Sequence, residues 1–193
     1  MKTQKQLFSY LILFFLCIAC STQKTSEISY ISEDAVHTNI IVKGRGYIGV
    51  IFPVDYNDMP FRYNWITDIK EQTTLTLSDI NSAEKILKKG IKEISKNAYY
   101  PDHPIIHEKL SKYIRQYFGY INSDGDKIVF INCFWPNESR FARFINRTLY
   151  NEQEDESWKT EYYHVLDGGT YYWKVKVNLT KEILFDFGTN GTA

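Results

Sequence analysis

The sequence predicts an α+β domain, with one main helix packed on a four- to five-stranded antiparallel sheet, and three observations predict it. One segment, Asn81 to Lys96, places Ala83, Ile86, Leu87, Ile91 and Ile94 at helical spacing. Several others alternate β-branched and aromatic residues with polar ones and are separated by Asp/Gly turns. The composition, 44% hydrophobic and 16% aromatic with 10 glycines and 5 prolines, suits a packed core and excludes disorder and collagen-like repeats. The 23 basic and 23 acidic side chains balance, which excludes a nucleic-acid binder acting through gross positive charge.

Lys2 and Lys5 precede an apolar stretch, Leu7 to Ala19, that is too short for a hydrocarbon core of roughly 30 Å and reads as a secretion signal. At its end, Leu16-Cys17-Ile18-Ala19-Cys20-Ser21 resembles a bacterial lipobox, with Cys17 where that pattern has leucine. The resemblance implies that residues 1–19 are a cleaved lipoprotein signal peptide and that Cys20 carries the lipid. The protein is then held at a membrane of the bacterial cell envelope, the outer one in preference, with its domain in the periplasm or at the cell surface. Residues 20–39 are polar and without period, as a flexible tether would be, and residues 40–193 are expected to form a single α+β domain. Cleavage removes Cys17 and acylation consumes Cys20, so Cys133 is left alone and no intrachain disulfide supports the core.

The elements follow in order. Ile40 to Phe52 reads as the first strand, with Val42, Ile48, Val50 and Phe52 on one face and Pro53 ending it. In the helix, Asn81 is a cap and Glu84 completes a capping box, while Gly90 marks close approach to the sheet. Tyr113 to Asn122 and Lys127 to Trp135 form a hairpin around Ser123-Asp124-Gly125-Asp126. Between them and the next strands, Asn137 to Tyr150 carries an apolar stripe (Phe141, Phe144, Ile145, Leu149) and a basic one (Arg140, Arg143, Arg147), an amphipathic helix facing the acidic run Glu152 to Glu156. A second hairpin joins Glu161–Leu166 to Thr170–Asn178 through Asp167-Gly168-Gly169, and Ile183, Phe185 and Phe187 alternate in a last strand.

This order of strand, helix and antiparallel hairpins over Ile40 to Asn178 is similar to the cystatin-like fold, with an NTF2-like sheet as the alternative. The Gln-x-Val-x-Gly loop and Pro-Trp turn of inhibitory cystatins are absent, so protease inhibition is only an alternative function. Arg115-Gln-Tyr-Phe-Gly-Tyr-Ile-Asn122, Lys127-Ile-Val-Phe-Ile-Asn-Cys-Phe134 and the closing Val165-Leu-Asp-Gly-Gly169 to Phe187-Gly-Thr-Asn-Gly-Thr-Ala193 resemble stretches of small uncharacterised lipoproteins of Gram-negative envelopes. That resemblance implies an envelope location and no particular chemistry.

Candidate chemistry is sparse. Gly44-Arg45-Gly46-Tyr47-Ile48-Gly49 has G-x-G-x-x-G spacing, but it runs into a strand ending at Pro53 instead of a helix, so no dinucleotide cofactor is expected. Asp102, His103 and His107 offer the one metal-ligand grouping, His103 and His107 being four apart as on one helical face, although Pro104 interrupts and no H-E-x-x-H pattern is present. They define the alternative of a metal-dependent or hydrolytic enzyme. Cys133 shares a strand face with Val129 and Ile131, the position of a buried hydrophobe and not of a nucleophile. Among 15 tyrosines, 12 phenylalanines and 4 tryptophans, strand alternation sends Tyr171, Trp173, Val175 and Val177 inward. The surface rings that could stack on a glycan or anchor a protein are Tyr63, Trp65, Tyr99, Tyr100 and Tyr172. The expectation is a lipid-anchored, non-catalytic module binding an envelope protein, peptide or glycan, without a cofactor.

Overall fold

The protein is described by a computed structural model over residues 27–31, 39–58, 60–61, 66–136 and 156–191. The signal peptide, Cys20, Tyr63, Trp65, the amphipathic segment Asn137–Tyr150 and the acidic residues up to Asp155 lie outside the described residues. The element order is β1 (Glu27–Ile31), β2 (Asn39–Gly44), β3 (Tyr47–Ile51), β4 (Glu71–Thr73), α1 (Leu77–Ile94), β5 (Ile114–Ile121), β6 (Lys127–Phe134), β7 (Tyr172–Asn178) and β8 (Ile183–Thr189).

The expected four- to five-stranded antiparallel sheet is overturned. The strands form one eight-stranded mixed sheet in the order β1-β2-β3-β5-β6-β7-β8, with β4 also paired to β5. Two local features cause the difference. First, the run Ile40–Phe52 folds back on itself at Arg45-Gly46, where Gly46 adopts φ +87°, so a single expected strand becomes the β2–β3 hairpin. Second, the chain leaves β3, passes through β4 and α1, and returns so that β5 lies parallel to β3, pairing Ile48 with Ile114 and Ile51 with Tyr117. A helical crossover is what permits a parallel neighbour. β4 continues along the same edge of β5 in the opposite sense, Thr73 facing Gly119. Glu27–Ile31, inside the segment read as tether, pairs with β2.

The helix starts one turn earlier than its apolar stripe suggests. Thr76, in extended backbone, is the cap: its Oγ1 accepts from the Asp79 N–H at 3.2 Å, and Asp79 Oδ2 accepts from the Thr76 N–H at 2.8 Å. The capping-box logic that favoured Asn81 and Glu84 is satisfied here five residues upstream, by Thr76 and Asp79. Asn81 and Glu84 then serve the sheet: Asn81 Oδ1 accepts from Tyr47 Oη at 3.0 Å, and Glu84 pairs with Arg115. Gly90 does face the sheet; a Cβ there would stand 2.8 Å from Leu184 Cδ1 of β8.

Both faces of the sheet are covered, which the alternation of a half-solvated sheet would not produce. On one face α1 buries Ile80, Ala83, Leu87 and Ile91 against Tyr117, Val129, Ile131, Cys133, Trp173, Val175 and Val177. On the other, Val50, Phe52, Phe118, Tyr120, Ile128, Phe130 and Phe134 meet Tyr56, Ile66 and Trp158 from loops. The expected strand Glu161–Leu166 is such a loop. Its backbone is claimed by side chains rising from the sheet: Gln116 Nε2 donates to the Trp158 and Glu161 carbonyls at 2.8 and 2.7 Å, Asn132 Nδ2 donates to the Tyr163 carbonyl at 2.8 Å, and the Tyr163 N–H donates to Gln116 Oε1 at 2.8 Å. With its polar groups satisfied this way, the segment has no need of a strand neighbour.

Polar burial on the helix face centres on Arg115, fully buried, with Nε 2.7 Å from Glu84 Oε1. Its Nη1 and Nη2 donate to the carbonyls of Tyr113 and Leu110 at 2.7 and 3.0 Å, and Tyr117 Oη donates to Glu84 at 2.8 Å. Burial pushes the Glu84 carboxyl up against the pull of Arg115.

Candidate functional site

After α1, Ser95 closes the last turn by donating its hydroxyl to the Ile91 carbonyl at 2.6 Å. The chain then reverses through Tyr99 to His107. Pro101 cannot continue a helix. Asp102 takes φ +65°, a left-handed conformation that aspartate tolerates better than most residues, and the His103 N–H donates to the Tyr100 carbonyl at 3.2 Å. The turn is held to the sheet from the far side, because Thr170 Oγ1 donates to the Pro104 carbonyl at 2.8 Å and Tyr100 Oη lies 3.3 Å from Thr189 Oγ1.

This anchoring makes a small cleft of about 80 Å³ between the end of α1 and the turn, whose walls include Ser95, Tyr99, Tyr100, His103, Pro104 and His107. Four of the residues singled out from sequence, Tyr99, Tyr100, His103 and His107, thus converge. Tyr99 is 69% exposed, a large ring offered to solvent. The His103 ring sits between Tyr100 and Tyr171, with centroids 5.5 and 5.1 Å away. Its Nδ1 is buried with no hydrogen-bond partner among the described residues.

The other named residues are not brought there. Asp102 is exposed on the turn, and among the described residues no group of three or more His, Cys, Asp or Glu side chains is arranged to hold a metal ion. Tyr172 is half-buried on the opposite face of the sheet, its ring stacked 6.2 Å from Tyr163. Cys133 is fully buried beside Arg115 and Glu84, and burial pushes its thiol far above the usual range, which removes it as a nucleophile at neutral pH. The sequence reading missed Ser95, Pro104 and Thr170 as builders of the cleft; a helix end followed by two prolines was the available signal. No family model, curated protein or solved structure matches the chain.

Proposed function

We propose that the chain is a lipid-anchored protein of the bacterial envelope whose folded domain is a non-catalytic binding module for an envelope protein, peptide or glycan. The observation that carries this reading is the cleft between α1 and the Tyr99–His107 turn. It combines an exposed tyrosine face, an apolar wall from Pro104 and Ile106, and the imidazole rings of His103 and His107. An aromatic anchor with a few polar groups around it is the composition of a recognition site. Lipidation at Cys20, read from the lipobox, would keep the module on the membrane.

The test places a photo-crosslinking amino acid at Tyr99 in living cells and, as control, at Leu166, which is 80% exposed and far from the cleft in sequence. A discrete adduct from position 99 that is absent from position 166, and lost when His103→Ala is added, is the expected result. Equal or absent crosslinking from the two positions would remove the cleft as the binding site.

A further inference from the structure

The sheet begins closer to the lipid site than a tether running to Ile40 would place it. β1 opens at Glu27 and pairs with β2, Glu27 facing Lys43 and Ile31 facing Asn39. Only residues 21–26 then separate Cys20 from the sheet, and the Cα steps from residue 20 to residue 27 span at most about 25 Å. The end of the sheet that carries the start of β1 is therefore held near the bilayer.

That end is basic. β3 leaves the β2–β3 turn beside the start of β5, pairing Ile48 with Ile114. The turn Leu110–Lys112 leading into β5 lies against the hairpin, since a Cβ at Gly46 would stand 3.8 Å from Ser111 Cβ. Four exposed cations gather there, Lys43 and Arg45 from the hairpin and Lys109 and Lys112 from the turn. None of their side chains is in an ion pair among the described residues; the acids beside them along the chain or ladder are Glu108 and Glu27. The far end of the strands, about 26 Å away along the eight residues of β5, is acidic. Around it Asp68, Glu71, Asp124, Asp126 and Glu182 outnumber Lys70 and Lys181, while Lys127 is matched by Asp79 at 2.6 Å. Glu71 pairs with Ile121 there, and Asp68 Oδ1 accepts from the Ser123 N–H at 3.2 Å.

We propose that this basic end is a docking surface for a bilayer rich in anionic phospholipid headgroups: the lipid holds the domain close, and Lys43, Arg45, Lys109 and Lys112 set its orientation, with the β5–β6 turn pointing away from the membrane. The inference rests on the lipidation of Cys20 proposed above and is independent of the Tyr99 cleft. A lipid anchor and a basic patch act together in this way, because attraction to an anionic surface decays within a Debye length, about 8 Å at physiological salt. The short linker brings the four cations within that range. The acidic end could touch the bilayer only with the linker drawn almost straight, and its carboxylates would be repelled there.

The experiment purifies the full chain as the cell processes it, reconstitutes it in vesicles, and attaches a fluorophore at Ser111→Cys or at Thr67→Cys, exposed positions at the basic and acidic ends. Cys133 is buried and does not compete for the label in the folded protein. With a short-range quencher on the lipid headgroups, and vesicles of equal parts phosphatidylcholine and phosphatidylglycerol, the label at 111 is expected to be quenched and the label at 67 spared. On phosphatidylcholine alone, or in 1 M salt, where the Debye length is about 3 Å, the two positions should become alike. Lys112→Ala should lower the ratio of docked to undocked protein about fivefold, and Lys112→Arg should leave it unchanged. Equal quenching at both positions on the anionic vesicles, or a difference that survives 1 M salt, overturns the proposal. Mass spectrometry of the same sample reads the lipid on Cys20: its absence would overturn the lipidation reading and the proposal with it, whereas a lipidated chain quenched equally at both ends would overturn docking alone.

Discussion

Replacing Arg115 by methionine isolates the energetics of the buried charge cluster. The substitution keeps a long apolar side chain in a fully buried site and removes three contacts together: the 2.7 Å approach to Glu84 and the hydrogen bonds to the carbonyls of Tyr113 and Leu110. Glu84, whose side chain is 11% exposed, is left with only the Tyr117 hydroxyl of the partners just described. Orphaning one member of a buried pair costs about 3–5 kcal/mol, a large part of the 5–15 kcal/mol that holds a typical domain together. Glu84→Gln in the same chain removes the stranded charge and keeps an acceptor for Tyr117. The double variant should therefore lie only about 2 kcal/mol below the parent, the residue being the two carbonyls without donors. The pH dependence follows from the direction of the carboxyl shift. With Arg115 gone, burial holds the Glu84 carboxyl further above its unfolded value of about 4.3. The folded state then binds a proton that the unfolded state has released, so stability falls as pH rises through that window. Urea unfolding followed by tryptophan fluorescence at pH 5 and pH 7 should show the Arg115→Met deficit largest at pH 7 and smaller at pH 5. A deficit under about 1 kcal/mol at pH 7, one that does not shrink on acidification, or a double variant no more stable than the single one would refute this account.

Other outcomes follow from the same packing. Gly49→Ala would push a Cβ to 2.5 Å from the Arg115 carbonyl oxygen and 2.7 Å from Tyr117 Cε2; a loss of about 1–3 kcal/mol in urea is expected, and an unchanged midpoint would show that the β3–β5 pair can part. Gln116→Leu should free the Trp158–Tyr163 loop, raising amide exchange at Tyr163 at least tenfold while β5 and β6 stay protected. Cys133 should resist a thiol-reactive disulfide at neutral pH until denaturant is added, since it is fully buried and burial pushes its thiol up. Cys20→Ala should abolish incorporation of labelled palmitate and release the chain from membranes; palmitate retained by the variant would exclude this lipidation site.

The helix and the central hairpin were legible because each obeys a local rule: a 3.6-residue apolar period in one, and an Asp/Gly turn between alternating strands in the other. The β5–β6 pair falls within one or two residues of the reading, Ile114–Ile121 against Lys127–Phe134. What failed was the inference from alternation to one wet face. Gln116 and Asn132 look like outward polar positions, yet both are buried, because each is matched to backbone groups more than fifteen residues away along the chain. A side chain's partner at that distance has no signature in its neighbours. The parallel β3–β5 pairing was hidden for the same reason: strand periodicity reports which way a side chain points, not which strand lies beside it. At the cleft, residue types drew attention to Tyr99, Tyr100, His103 and His107, while their convergence depends on Thr170 and Thr189 reaching back from the end of the chain.

The second covered face also accounts for the aromatic excess. α1 can shield only one side of the sheet, and among the described residues the other side is covered by loops, which have no helical stripe with which to bury apolar area. Large rings solve this, since each brings 150–250 Å² of surface. Phe52 stacks on Phe118 at 4.5 Å and Tyr163 on Phe134 at 4.3 Å, while Tyr56 meets both Phe52 and Phe118. Tyr56 Oη in addition accepts the Tyr162 N–H at 3.0 Å, tying one loop to the other across the rings. Toward β7 and β8 this aromatic cover gives way to Lys174 and Gly188, where the face opens into a cavity.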